Sequence, residues 1–269
     1  MLTWEQLTSF ASVGASVGLF HGIRYGCLNR LQAAIDRHGS PDRTTHLMKT
    51  KAPLDVATIV AQCVCSTIGL VHFRPLLPAL AEYVADPQHI SFNYSSNEHH
   101  VLFTSTLLVV GGYIWSLLFA PKSAVSIIHH VLLLGLIVAA TSFNVAVEVA
   151  AVYTVSTFLT MQPVLIADAL FRAKSSWASP LLRTALVYYG IVKAVAAFVL
   201  WGILNAQTTT QFIAQGTIVW TLSTIHIINF LRMIDHYNVA RTWLPIDCAT
   251  SDSIIAAALG FAKTKSLKA

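Results

Sequence analysis

Long apolar runs separated by short polar stretches make up most of the chain. A hydrocarbon layer about 30 Å thick is crossed by about 20 mostly apolar residues in a helix. Seven such stretches occur, at approximately Leu7 to Ile23, Val56 to Leu80, Val101 to Phe119, Ala124 to Phe143, Val145 to Phe171, Pro180 to Leu204 and Phe212 to Met233. The first is short and rich in Ser and Gly. Only Asn144 separates the fourth from the fifth, but a single helix from Ala124 to Phe171 would run roughly 70 Å, so two spans are expected there. The pattern predicts an all-α fold, a multi-pass transmembrane helical bundle of about seven spans.

Charge tests that count. With the N-terminus on one side of the membrane, alternation of seven spans puts fifteen of the 17 Lys and Arg residues on the other side, Arg183 and Arg232 at the span ends that face it, and leaves Arg74 and Lys193 deeper within spans. The loop "EYVADPQHISFNYSSNEHH" on the N-terminal side has neither Lys nor Arg. The positive-inside rule then places the C-terminus and the basic side in the cytosol or the mitochondrial matrix. Three regions follow: residues 1–49, a first helix and a basic loop with an amphipathic helix around "RLQAAIDRH"; residues 50–240, a six-helix membrane core; and residues 241–269, a C-terminal tail. Within that tail Ser253 to Phe261 is too short to cross again and is expected to lie along the interface or to dock on a partner.

Composition agrees with a membrane class. Hydrophobic residues make up 55% of the chain and charged residues 11%, with a mean hydropathy of +0.63, well outside the range of soluble domains. The net charge of +5 is scattered through short loops, with no basic stripe or stacking surface for nucleic acid, so no nucleic-acid partner is expected. The cysteine pair Cys63 and Cys65 points about 200° apart on a helix, which suits neither zinc nor a disulfide. Eleven histidines invite a metal, but only the bare pairs His99–His100 and His129–His130 occur. Neighbouring helix residues diverge by about 100° and rarely chelate one ion, so no metal site is expected. The start of the chain lacks the basic region of a signal peptide, and its first helix is expected to be retained.

Ionisable groups cost about 2.5 to 3.5 kcal/mol each in a span and therefore face the bundle, a cavity or a helix end. His129 and His130 enter the fourth span from the basic side. Asp168 ends the fifth there, and His226, Arg232, Asp235 and His236 close the seventh. Tyr113 and Trp115 sit in the matching half of the third. Together they predict a polar pocket open to the basic side. Lys193, near mid-membrane, is the most expensive charge and calls for a partner such as Glu148, a lipid phosphate or another subunit.

The order of four motifs resembles the TLC-domain family, the membrane family that includes the ceramide synthases and lipid-homeostasis proteins. These are "GGYIWSLLF" (Gly111 to Phe119), "HHVLLL" after a short basic turn, "VSTFLTMQPVL" (Val155 to Leu165) and "TLSTIHIINFLRMIDHY" (Thr221 to Tyr237), and the similarity covers roughly residues 50 to 240. The resemblance implies a lipid-facing chamber to which His129 and His130 belong. In ceramide synthases that pair is part of the acyl-transfer centre, where imidazole serves as base or acyl carrier. This chain departs from the family at its carboxylates. Ser116 and Leu117 stand near the place of an Asp one turn after the GY pair. Thr154 and Val155 precede Ser156 and Thr157 where an acid is usual. The acidic pair downstream of the histidines is not evident, so imidazole lacks the groups that would orient it.

Three readings follow. The first is a non-catalytic, degenerate TLC-like protein that binds or senses lipid and contributes to membrane lipid homeostasis. Its lipid contacts would be His129, His130, Tyr113, Trp115, Asp168, His226 and Asp235. A bound phospholipid or sphingolipid is its only expected ligand. The second is an accessory subunit of a larger complex, such as one in the mitochondrial inner membrane. The third is a sphingolipid-type, acyl-CoA-dependent N-acyltransferase. The endoplasmic reticulum and the mitochondrial inner membrane are the two locations, and the Asn93-Tyr94-Ser95 sequon on the acidic side would be glycosylated only in the former.

Overall fold

A computed structural model describes residues 4–38, 52–74, 110–119, 124–143, 147–205 and 208–261, with a few isolated positions between 78 and 107. The described residues form eight helices and no strand: α1 Trp4–His38, α2 Ala52–Phe73, α3 Val110–Phe119, α4 Ala124–Phe143, α5 Val147–Arg172, α6 Ala178–Asn205, α7 Thr209–Ala240 and α8 Pro245–Ala258. Three of them are long and apolar enough to cross a membrane, within Val152–Arg172, Ala178–Asn205 and Thr209–Ala240. These match the last three expected spans. In α2, α3 and α4 the apolar stretches among the described residues are Pro53–Val64, Val110–Phe119 and Ile127–Leu136. The sequon, the His99–His100 pair and the Glu148 side chain lie outside the described residues.

The core follows from the apolar faces. α5 is central and packs on α2 and α6, while α7 packs on α6 and α1 on α2. Leu133 of α4, Tyr153 and Phe158 of α5, Leu200 of α6 and Leu222 of α7 are buried in one cluster. Their outward neighbours are apolar too: Phe198, Val187, Trp220 and Ile213 are exposed, as helices that face lipid require. Pro163 inside α5 withholds the N–H that would bond the carbonyl of Leu159. One turn of irregular bonding is tolerated there because the helix is packed on both sides.

Two expectations change at the basic end. First, "RLQAAIDRH" is helical, but as the continuation of α1 to His38 instead of a separate loop helix. Leu31, Ala34 and Ile35 are buried there against Ile254 of α8 and Ala173 after α5, so packing keeps the helix going. Second, the C-terminal apolar segment begins at Pro245, the favoured first helical position for proline, and docks on the chain's own α1. Gly260, at a φ of 80°, ends α8, and the Phe261 N–H donates to the Ala256 carbonyl at 2.9 Å, a left-handed cap that needs glycine.

α8 is fastened at one further point. The Asp252 carboxylate accepts bonds from the hydroxyls of Ser175 and Ser176 and from the Ser176 N–H, in the turn between α5 and α6. In that turn Lys174 takes a left-handed φ of 55° and the Ser175 N–H reaches the Leu170 carbonyl at 2.9 Å.

Candidate functional site

Polar side chains recur along the inner faces of the apolar helices at helical spacing. Asp55, Thr58 and Gln62 share one face of α2, and Thr157, Thr160 and Asp168 one face of α5. Tyr189 and Lys193 follow one another on α6, as do His226, Asn229 and Met233 on α7. Where these faces meet, with Tyr113 and Ser116 of α3 and His129 and His130 of α4, they enclose a cavity of about 250 Å³. That is below the roughly 300–1,000 Å³ of pockets that swallow a drug-sized ligand. Its volume is of the order of a polar headgroup and smaller than a whole lipid.

One wall is a chain of rings. Tyr113 lies 4.9 Å from His130 and 6.4 Å from His129, centroid to centroid, and His129 lies 5.8 Å from His226. His226 in turn packs on Tyr153 at 5.7 Å and edge-on to Tyr189 at 6.4 Å. Hydrogen bonds hold this wall. The Tyr153 hydroxyl donates to the Val219 carbonyl (2.8 Å) and meets Ser223 Oγ at 3.2 Å, and the Tyr189 hydroxyl donates to the His226 carbonyl at 3.4 Å. The His129 Nδ1 is buried with no hydrogen-bond partner among the described residues, and so is Thr157 Oγ1.

The charges lie in two places. At the basic end, Arg172 pairs with Asp55 (3.4 Å) and Asp168 (3.3 Å), and His236 Nδ1 lies 3.2 Å from the other Asp168 oxygen. Phe171 stacks on His236 at 4.1 Å. Deeper, Lys193 Nζ donates to Ser156 Oγ at 3.1 Å and lies 5.6 Å from the Tyr189 ring centroid. The expected Glu148 partner is outside the described side chains, and among those described no carboxylate pairs with Lys193. Gln62 donates to Ser116 at 3.5 Å, so a neutral pair stands where the TLC resemblance would place an acid.

Five of the seven residues expected at the site line the cavity: Tyr113, His129, His130, Asp168 and His226. Two do not. Trp115, fully buried, faces α1 instead, with Phe20 at 5.4 Å and the Arg24 guanidinium 6.0 Å from its ring centroid. Two residues along a helix from Tyr113 it turns about 200° away. Asp235 is exposed, because nine residues from His226 amounts to half a turn off the cavity face. Depth also changes. His129, in the second turn of α4, meets His226 in the middle of α7, so the pair lies well inside the bundle. Among the described residues no three His, Cys, Asp or Glu converge to hold a metal.

Gly111 and Gly112 explain the GY helix physically. A Cβ at Gly111 would fall 2.5 Å from Ser16 Cβ, and one at Gly112 would fall 2.7 Å from Phe20 Cζ. The glycines let α3 lie against α1, which turns Tyr113 into the cavity and Trp115 into the α1 contact. No protein-family model, curated protein or solved structure matches the chain; the TLC resemblance rests on its short motifs.

Proposed function

We propose that the chain is a non-catalytic, TLC-like integral membrane protein that binds the polar head of a membrane lipid in this cavity and contributes to membrane lipid homeostasis. The proposed setting is a seven-span bundle of the endoplasmic reticulum or mitochondrial inner membrane, with the C-terminus in the cytosol or matrix. The observation that carries the reading is the cavity itself: about 250 Å³ lined by imidazoles, hydroxyls and an ammonium within helices whose outer faces are apolar. Burying so many polar groups costs free energy unless a ligand or water completes their bonding. Size supports a headgroup. Catalysis by the His pair is disfavoured, since the Asp168 carboxylate that could orient imidazole is engaged by Arg172 and His236.

A photoactivatable phospholipid added to the purified protein tests this. Crosslinks are expected on α3, α4 and α7 around Tyr113, His130 and Asn229, and they should vanish in Thr157→Phe, which fills the cavity. Labelling confined to the outer apolar faces sinks the proposal.

One observation favours the second reading, an accessory subunit. Gly14, Gly18, Gly22 and Gly26 stand four apart on the exposed face of α1, with nothing within 4 Å of a Cβ added at any of them. Small residues at this spacing admit a close-packed neighbour helix in membranes. Native purification in mild detergent separates the two: a stoichiometric assembly supports a subunit, and a lone chain retires that reading.

A further inference from the structure

The charges that line the cavity do not balance. Asp55 and Asp168 supply two carboxylates; Arg172, Arg232 and Lys193 supply three cations. Arg172 bridges both carboxylates, and His236 adds a second contact to Asp168. Both anions are therefore committed at the basic end. Arg232 is exposed at the surface of α7. Lys193 is left in the middle of α6, more than three turns from either end of the helix, with one hydroxyl and one ring face as its described partners. An ammonium has three N–H donors, and Ser156 takes one.

The surroundings of Lys193 are donors or neutral groups. Tyr189 sits one turn before it, and His129 and His226 line the same cavity from α4 and α7. The His129 ring lines the cavity, and its Nδ1 is buried with no hydrogen-bond partner among the described residues. A neutral imidazole offers one N–H, and an incoming oxyanion selects the tautomer that donates. A ligand carrying one negative charge would neutralise the ammonium and accept from it and from the imidazole, whereas a neutral or zwitterionic head leaves that charge uncompensated.

Building on the lipid-binding reading, we propose that Lys193 and His129 form the inner wall of an oxyanion subsite, which takes a phosphate or carboxylate. The ligand is the ionised end of an anionic amphiphile, such as a phosphatidate or a fatty acid, or a free phosphate of the aqueous phase. The subsite sits at the deep end of the cavity, and the Arg172 cluster lies at the other.

Thermal unfolding and native mass spectrometry of the purified full chain in neutral detergent test the assignment. Four probes are used: phosphatidate, oleate, phosphatidylcholine and inorganic phosphate. Wild-type protein should bind phosphatidate or oleate at least about tenfold more tightly than phosphatidylcholine, the scale of a hydrogen bond to a charged group. Lys193→Met should lose that preference and Lys193→Arg should keep it. Stabilisation by phosphate alone, to the level reached with phosphatidate, identifies a soluble oxyanion as the ligand; stabilisation only by the amphiphiles identifies a lipid head. The wild-type comparison needs no variant, so it decides even where Lys193→Met does not fold. Equal binding of phosphatidylcholine and phosphatidate overturns the oxyanion subsite and leaves lipid binding standing. Failure of all three lipid probes overturns the lipid-binding reading, and failure of phosphate as well overturns both.

Discussion

The Tyr153 hydroxyl donates to the Val219 carbonyl at 2.8 Å, joining the central helix α5 to the middle of α7. The same ring supports His226 at 5.7 Å, so one side chain fixes both the helix pair and an imidazole of the cavity wall. Tyr153→Phe removes the bond and keeps the packing. It should cost about 1 kcal/mol, the net worth of a buried neutral hydrogen bond, seen as a drop of about 2–4 °C in the unfolding midpoint. An unchanged midpoint would show that the hydroxyl contributes nothing to the α5–α7 contact.

Glycine substitutions should separate the two faces of α1. At Gly111 an added methyl meets Ser16 Cβ at 2.5 Å and the Val13 carbonyl at 3.2 Å, groups held by a helix that cannot give way cheaply. Overpacking costs about 1–3 kcal/mol, against a gain of about 1 kcal/mol in helix propensity, so Gly111→Ala should be destabilising. Gly18→Ala, with open space around its Cβ, should be stabilising by up to about 1 kcal/mol. Unfolding midpoints in detergent check both signs. A loss of stability in Gly18→Ala would mean that the open face is covered in the purified protein.

The parts of this site that were legible in the sequence are those where chemistry conflicts with its surroundings. His129, His130, Asp168 and His226 stand out because an imidazole or carboxylate in an apolar run needs an internal reason. Depth alone groups Trp115 and Asp235 with them, and depth ignores azimuth. On a helix the residue two away from Tyr113 and the residue nine away from His226 point elsewhere. Lys193 stood out by its cost, but its neighbours Ser156, His129 and His226 come from three other helices. Their register depends on tertiary packing, which no periodicity records. The continuation of α1 to His38 was hidden for a related reason: its stabilising partner, Ile254, lies more than two hundred residues away.

Cys27 reports on topology and burial together. It sits beyond the first expected span, half-buried, and burial pushes its thiol up from the ordinary cysteine value, with Arg30 pulling the other way by a smaller amount. The thiolate is the reactive form, so a raised value means a smaller thiolate fraction near pH 8. With Cys63, Cys65 and Cys248 replaced by Ala, alkylation of Cys27 at pH 8 should be slower than that of a free thiol. Its rate should keep rising with pH after the free thiol has levelled off, and unfolding should abolish the difference. Because Cys27 is expected on the basic side, a membrane-impermeant maleimide should reach it from the cytosolic or matrix face. Labelling from the opposite face would reverse the orientation assigned from charge.

Asp252 should be the fastening of the C-terminal helix. Its carboxylate accepts from two hydroxyls and one N–H of the α5–α6 turn, while Ile254, fully buried, seats the same helix on Leu31 and Ile35. Hydrogen bonds to a charged group are worth about 1.5–3 kcal/mol when shielded, and with Ser176 exposed the loss in Asp252→Ala should come to about 1–2 kcal/mol. The effect should be local, because α8 contributes to no other cluster of the core and opens as its own unit. Amide hydrogen exchange should therefore quicken across Pro245–Ala258 by roughly tenfold and also at the exposed end of α1, with α5 to α7 unchanged. Asp252→Asn retains one carbonyl acceptor and should fall between the two. Uniform acceleration through α5 to α7 would instead make Asp252 part of the global fold, and exchange in Asp252→Ala equal to wild type would leave the apolar contact of Ile254 as the sole anchor of α8.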